Sequence, residues 1–189
     1  SANMEYEDFM EKLDGREVMT NAERKHYDAL VKGKANEIRM NETYMRHKIG
    51  KKVLFGEIVQ LLHIKSKKYV TVKDKVLARD ERENTAIFLS PEGNAMSWLQ
   101  LLPRYKIDKE GDKISDNSEL VIHIAEKGQD HVHCAERVRD HSLIREVNSS
   151  MEGVTPWRIS LYESSQGKTA ESLMCGELVY IRDPEFNCC

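Results

Sequence analysis

From Lys52 onward the apolar residues recur every second position, in short runs separated by polar turns, which is the signature of half-buried β-strands. One such run occurs three times. Gly56-Glu57-Ile58-Val59-Gln60-Leu61 is echoed by Ser118-Glu119-Leu120-Val121-Ile122-His123 and by Gly176-Glu177-Leu178-Val179-Tyr180-Ile181. About forty residues after the first two acids, a tryptophan opens another apolar run: Trp98 before Leu99-Gln100-Leu101, and Trp157 before Arg158-Ile159-Ser160-Leu161. A hairpin, a spacer and a Trp-bearing strand, repeated about every sixty residues, predict an internally repeated all-β domain. A β-trefoil fits this pattern, with both tryptophans placed in strands and in the core. Turns are expected at Lys65-Ser66-Lys67-Lys68, Ser90-Pro91-Glu92-Gly93-Asn94, Lys109-Glu110-Gly111-Asp112 and Lys127-Gly128-Gln129-Asp130.

The first fifty residues follow a different period. Tyr6, Phe9, Met10 and Leu13 are spaced by three and four, so the pattern predicts a helix from Met4 to about Leu13, broken at Asp14-Gly15. Thr20 or Asn21 offers an N-cap with Glu23 close behind, and a second helix should run from Ala22 to about Ile49. Gly33 is expected to weaken or bend it, and Gly50 to terminate it. Ser1-Ala2-Asn3 reads as an extraneous tag. Residues 164–175 are small and polar and read as a linker, after which the repeat restarts in 176–189.

The chain of 189 residues is 32% charged with a net charge of −3, so it has no electrostatic footprint for nucleic acid. No apolar run approaches 18 residues, and no secretory leader pattern opens the sequence. Four cysteines, two of them adjacent at positions 188 and 189, do not form a secreted disulfide framework. A reducing, cytosol-facing setting follows. The last strand pattern stops midway, as in a piece of something larger.

Candidate chemistry is sparse. His123, His131, His133, Cys134 and His141 are the one cluster rich in metal-ligating types, but their spacing matches no standard zinc site, and ordinary surface and core histidines are the simpler reading. Asp80-Glu81-Arg82-Glu83-Asn84 lacks the spacing of a calcium loop and reads as a solvated charged face. No serine sits in a nucleophile elbow, and Cys134 reads as a buried strand residue. Arg137-Val138-Arg139 with Arg145 makes a weak basic patch and no phosphate cradle. No enzyme is visible and no cofactor is expected.

Several stretches resemble the N-terminal domain of inositol trisphosphate receptors, intracellular calcium-release channels. They are Val59-Gln60-Leu61-Leu62-His63-Ile64-Lys65-Ser66-Lys67-Lys68-Tyr69-Val70-Thr71-Val72, Asn94-Ala95-Met96-Ser97-Trp98, Pro103-Arg104-Tyr105-Lys106-Ile107 and Glu146-Val147-Asn148-Ser149. The resemblance implies a helical arm (1–50), two trefoil lobes (51–163), a linker (164–175) and the first strands of a following ligand-binding core (176–189). Its fold would be a mainly β, incomplete β-trefoil whose first lobe is missing. It implies a regulatory domain that tunes the affinity of the adjoining core, couples ligand binding to gating, and binds no inositol trisphosphate itself. Lys65 matches a lysine of the affinity-setting face, and Tyr105 a tyrosine that touches a neighbouring subunit. On its residues alone, a lid on the end of the barrel is the simpler reading of Tyr105. The implied partners are the ligand-binding core and the other subunits of a homotetramer, at the cytosolic face of a calcium store such as the endoplasmic reticulum. The fragment itself would touch neither membrane nor nucleic acid. The ryanodine receptor's equivalent domain and the carbohydrate-binding trefoils of mannosyltransferases are the alternative resemblances.

Overall fold

The computed structural model describes residues 2–13, 19–137, 144–162 and 171–186, and the chain divides into a helical unit, 1–48, and a β unit, 49–189.

In the helical unit, α1 (Ala2–Leu13) and α2 (Asn21–Lys48) meet along their apolar positions. Tyr6 lies against Tyr27 with ring centroids 5.9 Å apart, and Phe9 meets His26 edge-on at 5.0 Å. Thr20 caps α2 as the sequence predicts. Its hydroxyl accepts from the Glu23 amide, while the Glu23 carboxylate accepts from the Thr20 amide, closing a reciprocal capping box. Gly33 behaves differently from expectation. The helix runs through it unbroken, and a Cβ there would come within 3.1 Å of Ala2, so its bareness lets α1 approach. Ala2 and Asn3, which read as a tag, are the first turn of α1, with Asn3 buried.

Over its described residues the β unit is a curled antiparallel sheet of ten strands, a trefoil-like half-barrel. Its strands are β1 (Ile58–Val59), β2 (Leu62–His63), β3 (Lys68–Leu77), β4 (Thr85–Ser90), β5 (Leu99–Pro103), β6 (Glu119–Ile124), β7 (His131–Cys134), β8 (Val147–Ser150), β9 (Trp157–Leu161) and β10 (Val179–Arg182). The order β1-β5-β6-β7-β8-β4-β3-β2 forms the main path, with β9 bridging β6 and β10. All four predicted turns are present, and Lys67, Gly93, Gly111 and Gly128 in them take positive φ. Leu99, Leu101, Leu120, Ile122, Ile124, Trp157, Ile159 and Leu161 fill the barrel, and Trp157 donates its indole N–H to the Val132 carbonyl, 2.8 Å away.

Three short turns show how the repeat is built. Leu54–Glu57, Ser115–Ser118 and Met174–Glu177 each close with a backbone bond from the fourth residue to the first. In each, the fourth side chain also accepts from the first amide: Glu57 from Leu54, Ser118 from Ser115, Glu177 from Met174. The third residues, Gly56, Asn117 and Gly176, all have positive φ, which glycine and asparagine tolerate. The equivalent of Glu57 is therefore Ser118, not Glu119, and the sequence alignment of the second copy shifts by one. The tryptophans shift with it. Ile58 and Val59 pair with Gln100 and Leu99 as Glu119 and Leu120 pair with Arg158 and Trp157, so Trp157 corresponds to Leu99. Trp98 lies outside the strands, half-buried at the end of a 3-10 turn (Ala95–Ser97).

The residues just before these turns meet at the barrel axis. The Val53 amide donates to the Leu173 carbonyl (2.9 Å), Leu173 to Ile114 (2.8 Å) and Ile114 to Val53 (3.4 Å). This cycle of three bonds relates the three copies by an approximate threefold axis, with all three side chains buried around it. It also revises the expected linker. Residues 163–170 lie outside the described residues, whereas Leu173 belongs to the core, Met174 bridges Lys52 and the Cys175 amide donates to Lys51. Over its described residues, the segment 176–189 is joined to the same unit, β10 pairing with β9 from Val179↔Leu161 to Arg182↔Arg158. Two copies contribute hairpins as well as barrel strands; among the described residues the third contributes β10.

Candidate functional site

Tyr105 sits on the loop joining β5 to β6. Pro103 ends β5, and a turn from Tyr105 to Asp108 is followed by a second from Lys109 to Asp112. The Asp112 carboxylate accepts from the Lys109 amide, and Gly111 and Asp112 exchange backbone bonds with Phe55. The loop is thus pinned at its base while its tip stands out. Tyr105 is 52% exposed and Ile107 is 84% exposed. The Tyr105 hydroxyl donates to Glu119 Oε2 at 2.7 Å, and Arg158 holds the other oxygen of that carboxylate at 2.5 Å. The hydrogen bond to Tyr105 and the Arg158 contact hold the Glu119 carboxyl below its usual range, and the same bond to a carboxylate raises the Tyr105 phenol. The ring is consequently oriented while about half of its surface faces solvent.

Lys65 is exposed in the turn between β2 and β3, where Lys67 takes positive φ and the His63 ring bonds the Ser66 hydroxyl. It is on a different connection from Tyr105, so the two predicted residues lie on separate loops of the β unit.

A second feature went unread in the sequence. A recess of about 610 Å³ opens between the 81–85 turn and the β7–β8 hairpin. At its floor Glu81 is 5% exposed, and Asp80 and Asn84 are also buried, which corrects the reading of 80–84 as a solvated face. Glu81 Oε2 accepts from Asn84 and Asn148, and Oε1 from the amides of Glu136 and Arg137, with His133 Nε2 3.4 Å away. Burial alone would raise this carboxyl, but the bond from Asn148, those from the two amides and the nearby His133 outweigh it and lower the pKa. Asp130 accepts from Ser149 and pairs with Lys127 at 3.0 Å. Both oxygens of the Glu81 carboxylate thus accept from donors on other segments, and Asp130 Oδ2 is shared by Ser149 and Lys127, so these buried acids tie the 81–85 turn to β7 and β8. The signal that identifies it is the pairing of Asn84 and Asn148 with one acid, sixty-odd positions apart and invisible to local pattern.

The remaining candidates resolve simply. Cys134 is buried on β7, its amide donating to Thr155. His123 and His131 face each other across β6 and β7 with ring centroids 5.4 Å apart; burial and then His123 lower the His131 pKa. No group of three metal-capable side chains occurs among the described residues; His141, Val138 and Arg139 lie outside them. Arg145 donates to the Ala135 and Glu136 carbonyls and stacks 3.5 Å over the Phe186 ring, and Arg137 pairs with Glu83, so neither forms the surmised basic patch. No described helix is long and apolar enough to cross a membrane.

Among solved structures, an SDF2-like protein from Arabidopsis thaliana superposes with a TM-score of 0.60 at 14% identity, over 72% of this chain and 75% of that one. The Pmt1-Pmt2 protein O-mannosyltransferase complex of S. cerevisiae, solved with its sugar donor, gives 0.60 at 13%, over 75% of this chain and 21% of that one. At such identities the likeness is one of fold alone. The inositol 1,4,5-trisphosphate receptor itr-1 of Caenorhabditis elegans is 29% identical over 150 residues, 74% of this chain. The match spans 5% of that much longer protein. The profile of the inositol 1,4,5-trisphosphate/ryanodine receptor family matches residues 10–168, from within α1 to beyond β9. With the helical unit and the first two of the three β copies largely inside that span, the chain belongs to the inositol 1,4,5-trisphosphate/ryanodine receptor family, a family of receptor channels and not of enzymes.

Proposed function

We propose that this chain is a regulatory coupling module of an intracellular, ligand-gated calcium-release channel, sited on the cytosolic side of the store membrane. It acts without catalysis. By packing differently against an adjoining ligand-binding core in the free and liganded states, it shifts their balance through differential contacts alone. The observation that carries this reading is the Tyr105 loop: an oriented aromatic ring and an adjacent exposed isoleucine on a pinned turn suit a docking knob for a neighbouring subunit. Lys65, exposed on a tight hairpin turn, is the second contact, directed at the ligand-binding core. The test uses the receptor that carries this segment. Lys65→Ala should tighten inositol trisphosphate binding about 5-fold, the low end of typical coupling. Tyr105→Ala should leave affinity unchanged and reduce ligand-evoked calcium release. Unaltered affinity and release in both variants would remove this role from both residues.

A further inference from the structure

We propose that His123 and His131 form a two-imidazole site for one divalent transition-metal ion of the zinc class, with water completing the coordination. The pair stands in a row that crosses four strands. Gln100 of β5 lies opposite His123 of β6, His123 opposite His131 of β7, and His131 opposite Ser150 of β8. Residues directly opposite in antiparallel strands share a face, so all four side chains leave the sheet on one side. Each of these strands is paired on both edges, which places the row inside the sheet and away from its borders.

Neither imidazole is satisfied by its neighbours. His123 Nε2 lies 2.8 Å from the Gly128 carbonyl, which only accepts, so the ring proton sits on Nε2 and Nδ1 keeps its lone pair. That Nδ1 is buried without a hydrogen-bond partner, and so is Nδ1 of His131. The other members of the row are engaged elsewhere. Gln100 donates its side-chain amide to the Gly56 carbonyl, and the Ser150 hydroxyl accepts from the Gly153 amide. Buried polar atoms normally find partners, and two orphans of one kind on directly opposed residues are met by a single ion between them.

The spacing and the donor set select the ion. Two imidazoles that reach one ion at about 2.0–2.1 Å and a tetrahedral angle have ring centroids about 5 Å apart. Here the centroids are 5.4 Å apart with the planes inclined at 59°. Burial, and then His123, hold the His131 pKa low, so this ring is neutral at pH 7, the form that ligates a cation. The adjoining Asp130 is committed to Ser149 and Lys127. The donors are then nitrogen alone, which favours zinc, copper or nickel and gives no hold on magnesium or calcium. His123 and His131 are also the one registered pair between β6 and β7 among the described residues. An ion across them staples the base of the turn that joins these strands.

The experiment titrates zinc chloride calorimetrically into the full chain carrying Cys188→Ser and Cys189→Ser, which removes two adjacent thiols as a rival site. Saturable one-to-one binding is expected. Either His123→Asn or His131→Asn should abolish it, His47→Asn on the exposed face of α2 should retain it, and calcium chloride should give no binding. In the protein with both histidines, zinc at a hundred times Kd should slow exchange of the Ile124 amide, which bonds the Asp130 carbonyl, about 100-fold. Imidazole nitrogen NMR should then report coordination at Nδ1 of both rings. No zinc binding, binding that survives either histidine variant, equal binding of calcium, or an Ile124 amide unmoved by zinc would each overturn the proposal.

Discussion

Leu173→Ala tests whether the third copy is part of the barrel or the start of a separate segment. The side chain is 6% exposed, and its backbone takes part in two of the three axial bonds. Truncation to alanine removes three buried carbons, about 2.4 kcal/mol at ~0.8 kcal/mol each. A residual cavity adds to this, because Val53 and Ile114 are held by their own backbone bonds and cannot fully close in, giving a total of about 3 kcal/mol. If 171–175 were a solvated linker, the same change would cost no more than about 0.5 kcal/mol. Urea unfolding monitored by Trp157 fluorescence separates the two. With a slope of about 2 kcal/mol per molar, the midpoint should fall by ~1.5 M. Leu178→Ala, in the same copy but 43% exposed, should fall by less than ~0.5 M. A Leu173→Ala midpoint within ~0.3 M of the parent would refute the closed axis and return the segment to a linker.

Further predictions concern the charged sites, a close contact and the cap. Glu81 has a lowered folded pKa, so it stabilises the fold above its unfolded value and loses that contribution as pH falls through the folded one. Glu81→Gln should cost about 2 kcal/mol at pH 7, by turning an amide donor toward Asn84 and Asn148, and should flatten the loss of stability below pH 5 in pH-dependent urea melts. Glu119→Gln should bring the Tyr105 phenol back toward its usual value in an ultraviolet titration, with Tyr105→Phe identifying the band. Gly153→Ala would place a Cβ 2.8 Å from the His133 ring; thermal melts should register a loss of about 1–3 kcal/mol. Thr20→Ala opens the capping box of α2 and should lower its helicity by circular dichroism, at a cost of about 1 kcal/mol.

Much of this architecture is written locally. The change from a three-four spacing to alternation at Lys52, the glycines at turn positions and the Thr20–Glu23 cap all depend on neighbours within a few residues, and each was recoverable from the chain. The register of the second copy was not, because Ser118 performs with a hydroxyl the same amide capping that Glu57 and Glu177 perform with carboxylates. Matching acid to acid put Glu119 one place off. Glu81 was lost among charged neighbours for a related reason: its partners Asn148, Glu136 and Arg137 are distant in sequence, and only tertiary contact turns an acidic run into a buried hub. The linker boundary failed at Leu173 and Cys175, two apolar residues too few to show a period. Tyr105 was legible as a candidate, whereas the Glu119–Arg158 pair that orients it was not.

The axial cycle also constrains how the unit can form. Its first and last members, Val53 and Leu173, are 120 positions apart, so no stretch of nascent chain shorter than that can close it. Each hairpin can assemble early from near neighbours, but the barrel must wait for the final copy while paying the entropy of a long loop. Such topologies fold slowly, and until closure their strand edges stay open to other chains. During synthesis, then, the span between Val53 and Leu173 sets the minimum time for which this protein depends on dilution or on chaperones to remain single.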